Sequence, residues 1–148
     1  MRKNKITCPD KTCFETEITM QVGDLNYGGH VGNERYLLFA QETRIRFLES
    51  IGYSEMKFGP YGLVVSEASI EYLQELFHGD CISISMSIGS LSRVGFDCFH
   101  TISTQRNGIK ILVAKLMIGM VCYDYAARKL RSIPEDIKAK LEQRISSL

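Results

Sequence analysis

The sequence predicts an α+β fold in which an antiparallel five-stranded sheet wraps one long central helix, with a short helix at the C-terminus. Residues 34–51 form the longest helical pattern, and most other segments alternate apolar and polar residues as half-buried strands do. Short breaks join successive strands, which favours antiparallel pairing. A length of 148 residues with 45% apolar composition suits a single domain, residues 1–148, in which residues 1–12 form a loosely ordered tail.

The first strand is predicted over residues 13–22, where apolar and polar side chains alternate. One face of this strand carries Phe14, Thr16, Ile18, Met20 and Val22. We expect that face to lie in the core.

A polar, glycine-rich loop follows and leads directly into the long helix. Gly28 and Gly29 are consecutive in this loop, so its backbone can adopt positive φ and allow a substrate to approach closely. Asn33 has the form of a helix N-cap, and Gly52 is a natural C-cap. One face of the helix is predicted to carry Tyr36, Leu37, Ala40, Phe47, Leu48 and Ile51.

Four more strands and a helix account for the rest of the chain. Strands are predicted over residues 63–76, 82–88 and 96–105, and Asn107-Gly108 predicts a hairpin turn into the last strand. Within that strand, residues 111–123 are almost continuously apolar, which indicates burial on both faces. A final helix is predicted over residues 134–145.

Composition excludes several classes of function. The formal net charge is +1 and the basic residues are scattered, so we expect no nucleic-acid partner. The longest apolar run is shorter than the ~20 residues that a membrane-spanning helix needs, and the N-terminal residues lack the apolar core of a signal peptide. We therefore expect no membrane partner and a cytoplasmic location.

The five cysteines lie at irregular spacing without a CxxC pair, so free thiols and no metal site are expected. Pairing or metal binding by Cys8 and Cys13 is the alternative.

The glycine-rich loop and the start of the helix have the residue types of an acyl-transfer site. The first turn of a helix leaves main-chain N–H groups unpaired, and these groups can hold an oxyanion. Asn26 and His30 flank the two glycines and add polar side chains. On residue types alone, an ordinary strand-to-helix turn with a capping Asn and a solvated histidine explains the segment at least as well.

The segment NYGGHVGNERYLLFAQETRIRFLESIGY resembles the signature of the hotdog-fold acyl-CoA thioesterases, in particular the 4-hydroxybenzoyl-CoA thioesterase-like branch. That branch carries an Asp-x-x-Gly-His-Val-Asn-Asn loop followed by a helix with a Glu-x-x-Arg-like segment. Here the loop runs over residues 26–33, and the helix offers Glu42 and Arg44. The family aspartate is replaced by Asn26, which cannot act as a carboxylate nucleophile or base.

This resemblance spans residues 14–134 and implies the hotdog fold, with active sites between the subunits of a homodimer or homotetramer. It implies an acyl-CoA thioesterase that releases a carboxylic acid and free coenzyme A, with no metal or bound cofactor. The implied catalytic groups are Asn26, His30 and Glu42, with Glu34 as the alternative carboxylate and the main-chain N–H of Asn33 as oxyanion donor.

Substrate contacts are expected from Gly28 and Gly29, and from Arg93 and Arg106 toward the coenzyme A phosphates. Because the loop carboxylate is missing, the alternative function is an acyl-CoA sensor or carrier without turnover. A hotdog dehydratase or hydratase is a weaker third hypothesis. Acyl-CoA and acyl carrier protein both remain open as donors, and so does the acyl chain.

Overall fold

The computed structural model describes residues 5–146. It confirms a mixed fold of one antiparallel sheet and two helices. The elements in chain order are β1 (Phe14–Thr19), α1 (Arg35–Ser50), β2 (Gly62–Tyr72), β3 (Cys81–Ile88), β4 (Gly95–Arg106), β5 (Ile109–Asp124), β6 (Lys129–Leu130) and α2 (Glu135–Ser146).

The five long strands pair in the order β1-β3-β4-β5-β2, and every pair is antiparallel. β6 was not predicted. It is a two-residue strand that pairs with the end of β5, where Tyr123 faces Leu130. Strand β2 is left as one edge of the sheet, and β1 is the other.

Helix α1 packs on the sheet through an apolar face, and the core lies between them. Phe47 meets Phe14 of β1 edge to face with ring centroids 5.9 Å apart. Every second residue of β3 is buried against the helix side, as its alternation predicts: Ile82, Ile84, Met86 and Ile88. The buried residues of α1 are Tyr36, Phe39, Ala40, Thr43, Arg44, Phe47 and Leu48.

Several predictions about individual elements are wrong, and β2 ends at Tyr72 rather than at residue 76. Strand β1 ends at Thr19, because Val22–Asp24 form a short 3-10 helix in which Val22 is 67% exposed. On α1, Leu37 is exposed, because the face of the helix that packs on the sheet is narrower than the predicted apolar face. Asn33 is not the N-cap; Glu34 occupies that position, and its side chain makes no capping hydrogen bond.

The two faces of strand β5 are buried to different degrees. Leu116, Ile118 and Met120 are buried, whereas Lys115 and Met117 on the opposite face are half-buried. The predicted burial on both faces is therefore wrong for the described chain.

The turn predictions are confirmed. Asn107 and Gly108 both have positive φ, at 54° and 76°, and join β4 to β5 as a tight hairpin. Gly52 ends α1 with φ of 91°. Helix α2 buries Ile137 and Leu141 completely.

The five cysteines carry free thiols. Over residues 5–146, no cluster of three or more His, Cys, Asp or Glu side chains is arranged to hold a metal ion. No helix in that same range is long and apolar enough to cross a membrane.

Candidate active site

Asp24 fixes both ends of the loop that precedes α1. Its carboxylate accepts the Gln21 N–H at 2.8 Å and pairs with Arg35 Nη2 at 3.0 Å. Its carbonyl accepts the Gly32 N–H at 3.0 Å. Asp24 thus bonds to both Gly32 and Arg35, and these contacts close residues 24–35 into a compact loop.

Within this loop, residues 26–30 form a tight turn. The Asn26 N–H donates to the His30 carbonyl at 2.8 Å, and the Gly28 N–H donates to Asn26 Oδ1 at 2.8 Å. Gly29 has φ of 82°, a conformation that glycine adopts without strain. Because Oδ1 of Asn26 is used inside the turn, its Nδ2 amide remains as the donor toward a substrate.

Two main-chain N–H groups at the start of α1 are available as donors, and the groups on either side of them are occupied. The Val31 N–H donates to the Leu76 carbonyl, and the Arg35 N–H donates to the Gly32 carbonyl. Among the residues that the structure describes, the N–H groups of Asn33 and Glu34 have no hydrogen-bond acceptor. Unpaired amides at a helix N-terminus carry partial positive charge and suit a developing oxyanion.

A cleft of about 910 Å³ opens beside these two amides. Its walls come from the loop, the first turn of α1, the chain that follows β2 and the end of β4. The lining residues are Asn26, Tyr27, His30, Val31, Asn33, Glu34, Tyr36, Tyr72, Leu73, Gln74, Glu75, Phe77 and Arg106.

Four residues predicted for the site line this cleft together: Asn26, His30, Asn33 and Arg106. Glu34, the alternative carboxylate, lines it as well. Its carboxylate lies so close to the Gly32 backbone that a Cβ at position 32 would overlap it.

Glu42, Arg93 and the two glycines do not line the cleft. Glu42 Oε2 accepts from Arg46 Nε at 2.8 Å, and Arg46 also donates to Thr16 Oγ1 of β1. Arg93 Nη1 donates to Ser132 Oγ at 2.8 Å. Gly28 and Gly29 shape the turn that carries Asn26 and His30.

Arg106 has protein partners at the edge of the cleft. It pairs with Asp80 Oδ2 at 2.9 Å, donates to the Glu75 carbonyl at 2.6 Å and lies 5.3 Å above the Phe77 ring. These contacts hold the chain after β2 against the end of β4.

Two tyrosines in the cleft were not predicted as site residues. The rings of Tyr36 and Tyr72 meet edge to face at 5.1 Å, and the Tyr72 hydroxyl donates to the Asn33 carbonyl at 2.8 Å. Burial raises the pKa of Tyr36 to about 12, with Tyr72 and Glu75 adding to the effect. Burial and then the Glu34 carboxylate raise the pKa of Tyr72, so both phenols are neutral donors at neutral pH.

Glu75 is another residue of the cleft that was not predicted from the sequence. Its Oε1 lies 3.7 Å from His30 Nε2, and His30 Nδ1 lies 3.3 Å from the Val31 carbonyl. Residues 30 and 75 are far apart in the chain, and no local spacing rule connects them.

The cleft thus combines a histidine, carboxylates, a side-chain amide and two free main-chain donors. These groups are the parts that acyl transfer requires: a proton acceptor, a means of orienting water, and donors for the carbonyl oxygen.

Comparisons with known proteins agree with this chemistry. A family model described as the thioesterase-like superfamily matches residues 20–141.

Individual relatives are named as thioesterases. The long-chain acyl-CoA thioesterase FadM of Escherichia coli is 27% identical over 133 residues, which cover 89% of this chain and 99% of the relative. A chloroplastic acyl-acyl carrier protein thioesterase of Arabidopsis thaliana is 33% identical over 130 residues, covering 85% of this chain and 66% of the relative.

A solved structure gives the same fold. The crystal structure of a 1,4-dihydroxy-2-naphthoyl-CoA thioesterase from Synechocystis superposes with a TM-score of 0.77 at 23% identity, covering 91% of this chain and 96% of that one. The hotdog fold predicted from the loop and helix signature is confirmed. The chain belongs to the thioesterase-like superfamily and is a thioester hydrolase.

Proposed function

We propose that this protein hydrolyses acyl-CoA thioesters to a carboxylic acid and free coenzyme A. The observation that carries the proposal is the pair of unpaired N–H groups at Asn33 and Glu34 beside a cleft that also holds His30. In thioester hydrolysis, negative charge develops on the carbonyl oxygen. Donors that are already in place stabilise that charge without reorganisation.

The reaction follows from these positions. The thioester carbonyl oxygen accepts from the main-chain amides of Asn33 and Glu34, which withdraws electrons from the carbonyl carbon. A water molecule attacks that carbon and forms a tetrahedral oxyanion. The intermediate collapses, the carbon–sulfur bond breaks, and the coenzyme A thiolate leaves and takes up a proton. The sequence also predicts no metal or bound cofactor, and this mechanism calls on neither.

Asn26 orients the reactants in this proposal. Its Oδ1 is bound by the Gly28 N–H, so Nδ2 is the group that donates to the thioester carbonyl or the attacking water. Of the two carboxylates predicted from sequence, Glu34 lines the cleft and Glu42 pairs with Arg46 outside it. A role for Glu42 therefore requires a site completed by a second subunit.

We include the predicted homodimer or homotetramer in the proposal. Strand β2 is a sheet edge, and Val65 and Tyr72 on it are about half exposed. A long edge with exposed apolar side chains pairs readily with another strand. A cytoplasmic location likewise belongs to the proposal, since coenzyme A thioesters are made and used there.

Relatives named for acyl-CoA, acyl carrier protein and 1,4-dihydroxy-2-naphthoyl-CoA share one reacting group, the thioester. We take acyl-CoA as the donor because FadM matches along nearly its whole length. Nothing in the cleft favours the alternative of a binding protein without turnover over the hydrolase.

A thiol-release assay tests the proposal. Purified protein is supplied with short, medium, long and aromatic acyl-CoAs, and free thiol and free acid are measured separately. The proposal expects the two products in equal amounts with at least one substrate. Saturable acyl-CoA binding by calorimetry, with no thiol released from any member of the panel, would contradict it and favour the sensor or carrier.

A further inference from the structure

The position of Glu75 is fixed by contacts that also fix His30. Val31, the neighbour of His30, donates its N–H to the carbonyl of Leu76, the neighbour of Glu75, at 2.8 Å. The Glu75 carbonyl accepts from Arg106 at 2.6 Å, and Leu76 is fully buried. The main chain is therefore held at Glu75 itself and at the residue that follows it.

The two side chains lie close together in the lining of the cleft. His30 Nε2 lies 3.7 Å from Glu75 Oε1, and the side chains are 34% and 64% exposed. In the tautomer whose Nδ1–H donates to the Val31 carbonyl at 3.3 Å, Nε2 carries the lone pair that faces the carboxylate. With His30 Nε2 and Glu75 Oε1 at this separation, one water oxygen can lie about 2.8 Å from both atoms.

Other carboxylates near the loop have different partners. Asp24 pairs with Arg35, Asp80 pairs with Arg106, and the Glu34 carboxylate lies against Gly32. Within residues 5–146, Glu75 is the carboxylate at ion-pair distance from His30.

We propose that His30 and Glu75 act together as the base of the hydrolysis, and that Glu75 supplies the carboxylate that Asn26 cannot. This inference rests on the proposed function. Glu75 orients the water and stabilises the imidazolium that forms, so it is a positioning residue, whereas His30 Nε2 is the catalytic base.

The proton and electron balance is complete with the groups named. His30 Nε2 takes one proton from water as the water oxygen bonds to the carbonyl carbon, and the π electron pair moves to the oxyanion. When the intermediate collapses, the carbon–sulfur bond breaks, and the thiolate receives the proton held on Nε2. Water is thereby added across the thioester, and His30 returns to its neutral form.

The test uses the full chain and an acyl-CoA that the wild type turns over. The variants are Glu75→Gln, Glu75→Asp, His30→Gln and the double variant Glu75→Gln/His30→Gln, with Glu49→Gln on the exposed face of α1 as the matched control. For each, kcat and KM are measured by thiol release, and folding is checked by thermal melting. Glu75 is exposed, so its variants are expected to fold.

We expect Glu75→Gln to lower kcat about tenfold with KM within about threefold, and His30→Gln to lower kcat about 100-fold. Glu75→Asp should keep more activity than Glu75→Gln. In the His30→Gln background, Glu75→Gln should lower kcat by less than about twofold, because the effects of substituting residues that act as a unit are not additive. Glu49→Gln should match the wild type.

Wild-type kcat in Glu75→Gln, or losses that multiply in the double variant, would overturn the inference while leaving the hydrolase intact. A wild type that releases no thiol from any acyl-CoA would refute the proposed function and this inference together.

Discussion

Arg35 Nη2 donates to Asp24 Oδ1 at 3.0 Å, which ties the first residue of α1 to the residue that begins the functional loop. The Asp24 side chain is 12% exposed and that of Arg35 is 34% exposed, so the pair is partly shielded from solvent. The orientation of the Asn33 and Glu34 amides depends on this closure.

Asp24→Asn should therefore lower both stability and turnover. A hydrogen bond to a charged group contributes about 1.5–3 kcal/mol, and partial exposure reduces this to about 1–2 kcal/mol of unfolding free energy. We expect kcat to fall more than KM rises, because the loop loses its fixed end. Urea unfolding and thiol release measure the two effects.

The matched control is Asp124→Asn, which breaks a similar pair with Arg131 at the end of β5, outside the cleft. It should affect stability without affecting kcat. Equal losses of turnover in both variants would show that loop closure has no special role.

Gly95→Ala should destabilise the sheet. A Cβ at position 95 would overlap the main-chain carbonyl oxygen of Met120 in the paired strand β5, and that atom cannot move aside as a side chain would. Overpacking of this kind costs about 1–3 kcal/mol. Gly23→Ala, where no atom lies within 4 Å of the new Cβ, should be nearly neutral in the same denaturation experiment. Equal stability of the two variants would be inconsistent with the close approach of β4 and β5.

His100 should make the protein sensitive to acid. It is fully buried, and neither ring nitrogen has a hydrogen-bond partner among the described residues. Burial, followed by the positive charge of Arg44, lowers the pKa of His100 from 6.5 to about 3. The unfolded chain then binds a proton near pH 6.5 that the folded chain does not, so stability is lost as pH falls from 6.5 toward 3.

Comparison with His100→Leu isolates this contribution, since the variant lacks the titrating ring. Relative to pH 7, the wild type should lose on the order of 3 kcal/mol more than the variant by pH 4. At pH 7 the variant should be as stable as the wild type or more so, because two unpaired polar atoms are removed. Parallel stability curves between pH 7 and 4 would rule out a buried neutral imidazole.

Local pattern was sufficient for most of the fold. The alternation of apolar and polar residues in β3 predicted its buried face. Gly52 and Asn107-Gly108 predicted the end of α1 and the hairpin, because few residue types adopt positive φ readily. Errors arose where tertiary contacts decide: Val22 fits the strand pattern but lies in a 3-10 helix, and Leu37 fits the helix face but points away from the sheet.

The candidate site was only partly predictable for the same reason. Asn26, His30 and Asn33 are close in sequence, and the structure brings them together in one cleft. Glu75 lies in that cleft because the chain after β2 bonds to the loop through Val31 and Leu76. Tyr72 reaches the cleft from the end of β2, where its hydroxyl donates to the Asn33 carbonyl. The helix motif predicts a role for Glu42, but it does not reveal that Arg46 pairs with the Glu42 carboxylate and also bonds to β1.

Replacing the main-chain amide of Asn33 with an ester shows whether its free N–H stabilises the oxyanion. The ester removes the N–H and keeps the side chain. The melting temperature should fall only slightly, because that N–H has no acceptor among residues 5–146 and the Gly32 carbonyl still accepts the Arg35 N–H, though more weakly as an ester. With an acyl-CoA that the wild type hydrolyses, kcat should fall about 10²–10³-fold with little change in KM, because one oxyanion donor is lost. A kcat equal to that of the wild type in the folded ester protein would show that this N–H does not stabilise the oxyanion.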